Sequence, residues 1–169
     1  MRKDEKPLKI LICNAGSTSL KFKLWEMPGH GELAEGRVER VGSKNAIFRY
    51  SRGECSVCRE PLDIPDYTCG IRMFLDALTD PQIGAIRSLG EIEAVGFKTV
   101  LAKGYLGVHE LTDDVLDGMR AYLSVAPAHN VPYLEAIGVM RAQLPEARLV
   151  GVFETAFHRT IPEEHRVYP

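Results

Sequence analysis

Apolar positions recur along this chain at two periods, and the switches between them mark out its elements. Residues 8–13, LKILIC, form a short apolar run of the length of a buried strand. Residues 20–27 alternate Leu20, Phe22 and Leu24 with Lys21 and Lys23, the period of a strand with one face in the core. Residues 33–41 and 45–51 predict two more strands, with a turn at VGSKN between them. Residues 52–66 are polar and contain proline, which predicts a loop. Helical spacing then takes over: Ile71, Phe74, Leu75 and Leu78 predict a helix over 68–79, with Thr68 placed to cap it. Residues 92–101 return to a strand pattern. Thr112 caps a predicted helix reaching about Val125, with Asp113 and Asp114 in its first turn, where the helix dipole favours them. PAHNVP breaks that helix, and another begins near Pro132, carrying Leu134, Ile137, Met140 and Leu144 on one face. Residues 148–154, RLVGVFE, are a nearly continuous apolar run suited to a parallel central strand.

Early hairpins followed by alternating helices and strands predict an α/β domain with a mixed sheet and flanking helices. The order is compatible with a ribonuclease-H-like half of a sugar kinase, actin or chaperone ATPase. We find no internal repeat and no low-complexity segment. The expected organisation is an N-terminal extension over residues 1–7 and one domain over 8–169.

Composition narrows the function classes. The chain has 169 residues, 45% of them hydrophobic and 26% charged, which suits one soluble domain with a real core. A formal net charge of −2 gives no electrostatic case for nucleic acid or an anionic membrane. No apolar run approaches a membrane span, and MRKDEKPLK lacks the apolar stretch of a secretory signal, so a cytoplasmic location is expected. The four cysteines are Cys13, Cys55, Cys58 and Cys69. One C-x-x-C pair without a second pair or spaced histidines reads as ordinary reduced thiols rather than a zinc site.

The densest chemistry lies between the first two strands, in the stretch NAGSTSLK. Gly16 lets a ligand approach the backbone and permits positive φ. Successive N–H groups in a turn form an anion-binding concavity. Ser17, Thr18 and Ser19 add hydroxyl donors, Lys21 a compact positive charge, and Asn14 a carbonyl oxygen for magnesium or its water. The loop is not a Walker A sequence, and a strand rather than a helix follows it. From composition alone, a phosphate holder and a polar hairpin whose hydroxyls cap its own backbone are equally good readings.

Three motifs in order carry a resemblance. NAGSTSLKFKL resembles the NAGSSSLK signature of the acetate kinase family, VAPAHNVPYLEAI its APLHNP segment, and VGVFETAFHRTIPEEHRVYP its VAVFDTAFHQTMPEEAY segment. The resemblance spans nearly the whole chain apart from the first residues and 42–66. It implies phosphate transfer from ATP, with Mg2+, to acetate or another short-chain carboxylate, giving an acyl phosphate. Position by position it implies Asn14 beside magnesium, and Gly16, Ser17, Ser19 and Lys21 in the phosphate loop, with Lys21 associated with ATP. It places His129 near the transferred phosphoryl group, Lys98 where the family has a carboxylate-binding arginine, and Glu154 where it has a catalytic aspartate. Val100 matches a substrate-pocket valine, and Ala128 replaces a pocket leucine, which implies room for an acid longer than acetate. His158 is expected to have a packing or hydrogen-bonding role, and PEEHR to be a solvated surface turn.

The family's HRVVHGG is FKTVLAK here, Phe97 to Lys103. Lysine loses the planar two-point grip of arginine at position 98, and glutamate lengthens the carboxylate at 154 by one methylene. The resemblance also places the adenosine site, further transition-state residues and most of the dimer interface in a second half beyond the pattern matched here. Two expectations follow: an acetate-kinase-like domain that works with a missing C-terminal half, or a catalytically impaired half-kinase acting as a phosphate- or nucleotide-binding or association module. An uncovered apolar face would favour a homodimer.

Overall fold

In the computed structural model, which describes residues 7–29, 31–158 and 160–165, the chain forms one eight-stranded mixed sheet and three helices. The strands are β1 (Leu8–Ala15), β2 (Ser19–Met27), β3 (Gly31–Glu39), β4 (Ser43–Arg52), β5 (Cys55–Ile64), β6 (Ile92–Thr99), β7 (Gly107–Glu110) and β8 (Arg148–Phe153). The helices are α1 (Tyr67–Thr79), α2 (Asp113–Arg120) and α3 (Pro127–Gln143). The sheet order is β5-β4-β3-β2-β1-β6-β8-β7. Strands β1 to β5 are an antiparallel meander, β1, β6 and β8 are parallel, and β7 returns antiparallel at the far edge. The mixed α/β class expected from the pattern is the one observed.

Period-two alternation sorts each central strand into two faces. Leu11, Cys13 and Ala15 of β1, Leu20, Phe22 and Leu24 of β2, and Val95 and Phe97 of β6 are buried on one face. Helix α1 packs there on β2, β3 and β4, and α3 on β1 and β6. Phe74 of α1 stacks on Phe22 with ring centroids 4.3 Å apart and lies directly over Gly36 of β3. The opposite face has neither α1 nor α3 on it, and Ile12, Val108 and Val152 stand exposed there.

Four sequence expectations change. Residues 55–64 form β5 rather than a loop. It is an edge strand, exposed along most of its length, so it shows no clean apolar face and tolerates Pro61. The β3–β4 turn lies at Arg40 to Gly42, three residues short of the end of VGSKN, with Arg40 at φ 58° and Gly42 at φ 88°. Helix α1 is capped by Asp66, whose carboxylate accepts the Cys69 N–H at 2.8 Å, and not by Thr68. Helix α2 stops at Arg120, and PAHNVP opens α3 rather than breaking the chain: Pro127 occupies the first position, where no N–H is needed. The short strand β7 was not anticipated.

Cys55 and Cys58 are exposed and lie three residues apart on a strand, which turns their side chains to opposite faces. Cys13 is fully buried, and burial pushes its thiol up. Among the described residues no helix is long and apolar enough to cross a membrane. The side chain of His158, the first six residues of the expected extension and the chain from Arg166 onward lie outside the described residues. Ile161, Pro162, Glu164 and His165 are exposed.

Two measurements check this packing. A Cβ at Gly36 would sit 2.2 Å from the Phe74 ring. Gly36→Ala is therefore expected to lower stability by about 1–3 kcal/mol in urea titrations, the range for overpacking a filled site. Iodoacetamide at pH 8 is expected to modify Cys55 and Cys58 in the folded protein and Cys13 only after unfolding, as read by peptide mass mapping.

Candidate functional site

The three parallel strands β1, β6 and β8 end at one edge of the sheet, the place where open α/β sheets present ligand-binding groups. The β1–β2 loop, Lys98, Glu154 and the N-terminal turn of α3 all belong to that edge. Asn14 and Lys21 are direct cross-strand partners in the β1–β2 register. Both alternate with core residues, so both project from the face opposite α1 and α3. Lys21 is exposed and forms no ion pair among the described residues.

The loop between them is tied at three backbone groups. The Gly16 N–H donates to the Ser19 carbonyl at 2.8 Å, and the Val41 N–H donates to the Thr18 carbonyl at 3.0 Å. The Tyr67 hydroxyl, from the first residue of α1, donates to the Gly16 carbonyl. Ser17 and Thr18 are exposed, and their N–H groups have no protein partner among the described residues. Gly16 does not use the positive φ expected of it. A Cβ there would lie 2.9 Å from Ser19 Oγ, a contact that rotation of the Ser19 hydroxyl would relieve.

Lys98 and Glu154 meet. Their Nζ and Oε1 atoms are 3.2 Å apart, and each side chain is about half exposed (47% and 49%). Glu154 follows the last residue of β8, and Lys98 lies beside Val152 in the β6–β8 register. Tyr133 of α3 is buried. Burial first, and the nearby Glu154 and Cys13 next, push its phenol up.

His129 and Ala128 are exposed in the first turn of α3, in a helix rather than in the connection expected. The next residue fixes that turn: buried Asn130 donates from Nδ2 to the carbonyls of Leu101 and Met119, at 3.1 and 2.9 Å. Among the described residues no contact joins His129 to Lys98 or Glu154. Val100 is half-buried, and its carbonyl accepts the Thr155 hydroxyl at 3.3 Å. Beside it a cavity of about 350 Å³ is lined by Leu101, Tyr105, Tyr122 and Thr155. Tyr67 carried no sequence signal, and Asn130 and Tyr133, though inside the motif VAPAHNVPYLEAI, were not singled out, because their roles depend on contacts between elements far apart in the chain.

The sequence matches the acetokinase family over residues 9–169. This chain belongs to the acetokinase family. It is 37% identical over 168 residues to an acetate kinase of Bacteroides fragilis, covering 95% of this chain and 41% of that protein. It is 41% identical over 162 residues to an acetate kinase of Symbiobacterium thermophilum, covering 95% and 40%. Among solved structures, Porphyromonas gingivalis acetate kinase superposes with a TM-score of 0.86 at 35% identity, over 96% of this chain and 40% of that one. A propionate kinase from Francisella tularensis superposes with a TM-score of 0.82 at 29% identity, over 93% and 39%. The chain therefore spans about two-fifths of the length of the acetokinases it matches.

Solvent reaches both members of the Lys98–Glu154 pair. A double-mutant cycle with Lys98→Met and Glu154→Gln is expected to give a coupling of about 0.2–1 kcal/mol that shrinks with added salt. A salt-independent coupling several times larger would mean that the pair is shielded from water.

Proposed function

We propose that this chain forms the phosphate-holding side of an ATP-dependent carboxylate kinase, whose product is an acyl phosphate. One observation carries this reading: the β1–β2 loop presents the amides of Ser17 and Thr18, without partners among the described residues, with Asn14 and Lys21 side by side at its base. Phosphoryl transfer depends on positioning and on neutralising charge on the phosphoryl oxygens. Backbone N–H groups, the Ser17 and Ser19 hydroxyls and Lys21, which has no ion pair among the described residues, supply both. The N-terminus of α3, at the same edge, adds a partial positive charge beside His129.

These donors suit the phosphates of ATP. For Mg2+ the loop offers only neutral oxygens, the amide oxygen of Asn14 and the hydroxyls of Ser17, Thr18 and Ser19, and among the described residues no three acidic, histidine or cysteine side chains cluster to hold a metal. Magnesium when bound would neutralise phosphate oxygens, with those oxygens and water completing its shell, a common arrangement for this ion. Glu154, ion-paired with Lys98 just after β8, would orient a metal-bound water or the reacting group. Val100 and Ala128 are the proposed pocket residues.

The Lys98–Glu154 ion pair favours a second reading. A lysine already neutralised by a glutamate attracts a substrate carboxylate weakly, and this suits a phosphate- or nucleotide-binding module with impaired transfer. On either reading, the exposed Ile12, Val108 and Val152 support docking of the remaining kinase domain or of a second copy.

Calorimetric titration with ATP tests the loop. Lys21→Ala is expected to weaken binding about tenfold, the scale of one charge-assisted hydrogen bond. Unchanged affinity would remove the loop from the phosphate site. Hydroxamate trapping of acyl phosphate by the chain joined to the rest of the kinase separates the two readings: turnover supports the kinase, and its absence with ATP binding intact supports the module.

A further inference from the structure

The proposed phosphate loop leaves open how a run of glycine, serine and threonine is kept facing an anion. A peptide plane points its C=O and the following N–H in opposite directions. A half-turn of the Gly16–Ser17 plane would therefore replace a donor with a carbonyl oxygen and repel a phosphate. Gly16 has no Cβ to resist that rotation. Something outside the loop must hold the plane.

Resting on the reading of this loop as a phosphate holder, we infer that Tyr67 is a positioning residue for it. The Tyr67 hydroxyl holds the Gly16 carbonyl and so aims the Ser17 N–H at the phosphate. The hydrogen bond spans 51 residues of sequence and joins α1 to the β1–β2 loop. The Val41 N–H does the same for the next carbonyl but one, that of Thr18. Between these two anchors the amides of Ser17 and Thr18 have no partner among the described residues.

Tyr67 is itself held in place. It is the first residue of α1, and the Asp66 cap fixes where that helix starts. Gly70, one turn on, lets α1 lie close to β2, where a Cβ would be 3.0 Å from Leu20. The phenol is half-buried. Burial first, and Glu135 of α3 next, push it up, so it keeps its proton through the neutral range.

The test is a pyrophosphate titration of the 15N-labelled chain at constant ionic strength, followed by NMR at the loop amides. In the wild type, the Ser17 and Thr18 amides are expected to shift and saturate. Tyr67→Phe keeps the ring and removes the donor. It is expected to raise the dissociation constant about fivefold, the scale of one neutral hydrogen bond, and to shrink the Ser17 shift while leaving the melting temperature nearly unchanged. Tyr67→Leu, which removes the donor with different packing, is expected to show the same loss of affinity. Wild-type affinity and Ser17 shift in either folded variant would overturn the clamp and leave the phosphate loop standing. Saturation at Lys21 without any at Ser17 would do the same. No saturable shift anywhere in the wild-type loop would overturn the phosphate reading, and the clamp with it.

Discussion

Two parallel strands cannot be joined by a hairpin, and the rest of this molecule follows from that constraint. Strand β1 pairs in parallel with β6, and β6 with β8. The chain must leave β1, build the β2–β5 meander, cross back through α1 and re-enter beside its starting point. It crosses again through α2 and α3 before β8. Each return runs over the face lined by Leu11, Phe22 and Phe97, so both crossings bury the same apolar surface. The strand ends then converge at one edge, and residues from opposite ends of the sequence become neighbours: Asn14 and Lys21 near the start, Lys98 midway, Glu154 near the end.

At that edge the backbone does as much as the side chains. Three ties hold the loop's own polar groups, and the amides left over face solvent. The charged side chains divide into Lys21 on β2, which has no ion pair among the described residues, and a self-neutralised pair, Lys98 on β6 and Glu154 just after β8. A phosphate and a carboxylate would therefore meet quite different electrostatics a few strands apart. Where the resemblance implies arginine and aspartate, the chain has a shorter cation and a longer anion in contact with each other. The two differences from that pattern meet in one ion pair.

Much of the fold was legible because packing wrote it into the sequence. The alternation at Leu20, Phe22 and Leu24 and the spacing of Ile71, Phe74 and Leu78 each report one buried face, and each element lies where its pattern put it. Strand β5 was illegible because an edge strand with little burial on either side has no face to report. The PAHNVP segment misled because a proline ends a helix or begins one according to its position, and here Pro127 begins it. The motif residues Asn14, Gly16 and Lys21 could be read as a phosphate loop, but not what holds that loop. Tyr67 acts across 51 residues, and no local pattern encodes such a contact. The pairing of Lys98 with Glu154 was hidden for the same reason.

The chain has a single tryptophan, Trp25, and the β2 alternation sets it on the side of the sheet away from α1 and α3. It pairs with Ile10 across the β1–β2 ladder, and the Lys23 ammonium lies 6.0 Å from its ring. The only indole fluorophore is thus outside the aromatic cluster of Phe22, Phe74 and Tyr50 that marks the core. Trp25 is half-buried with its indole Nε1 shielded from solvent, so its emission reads how that side of the sheet is covered. A chain with an intact core and a newly covered face would change colour, whereas a loosened core beneath an unchanged face would leave the spectrum nearly as it was.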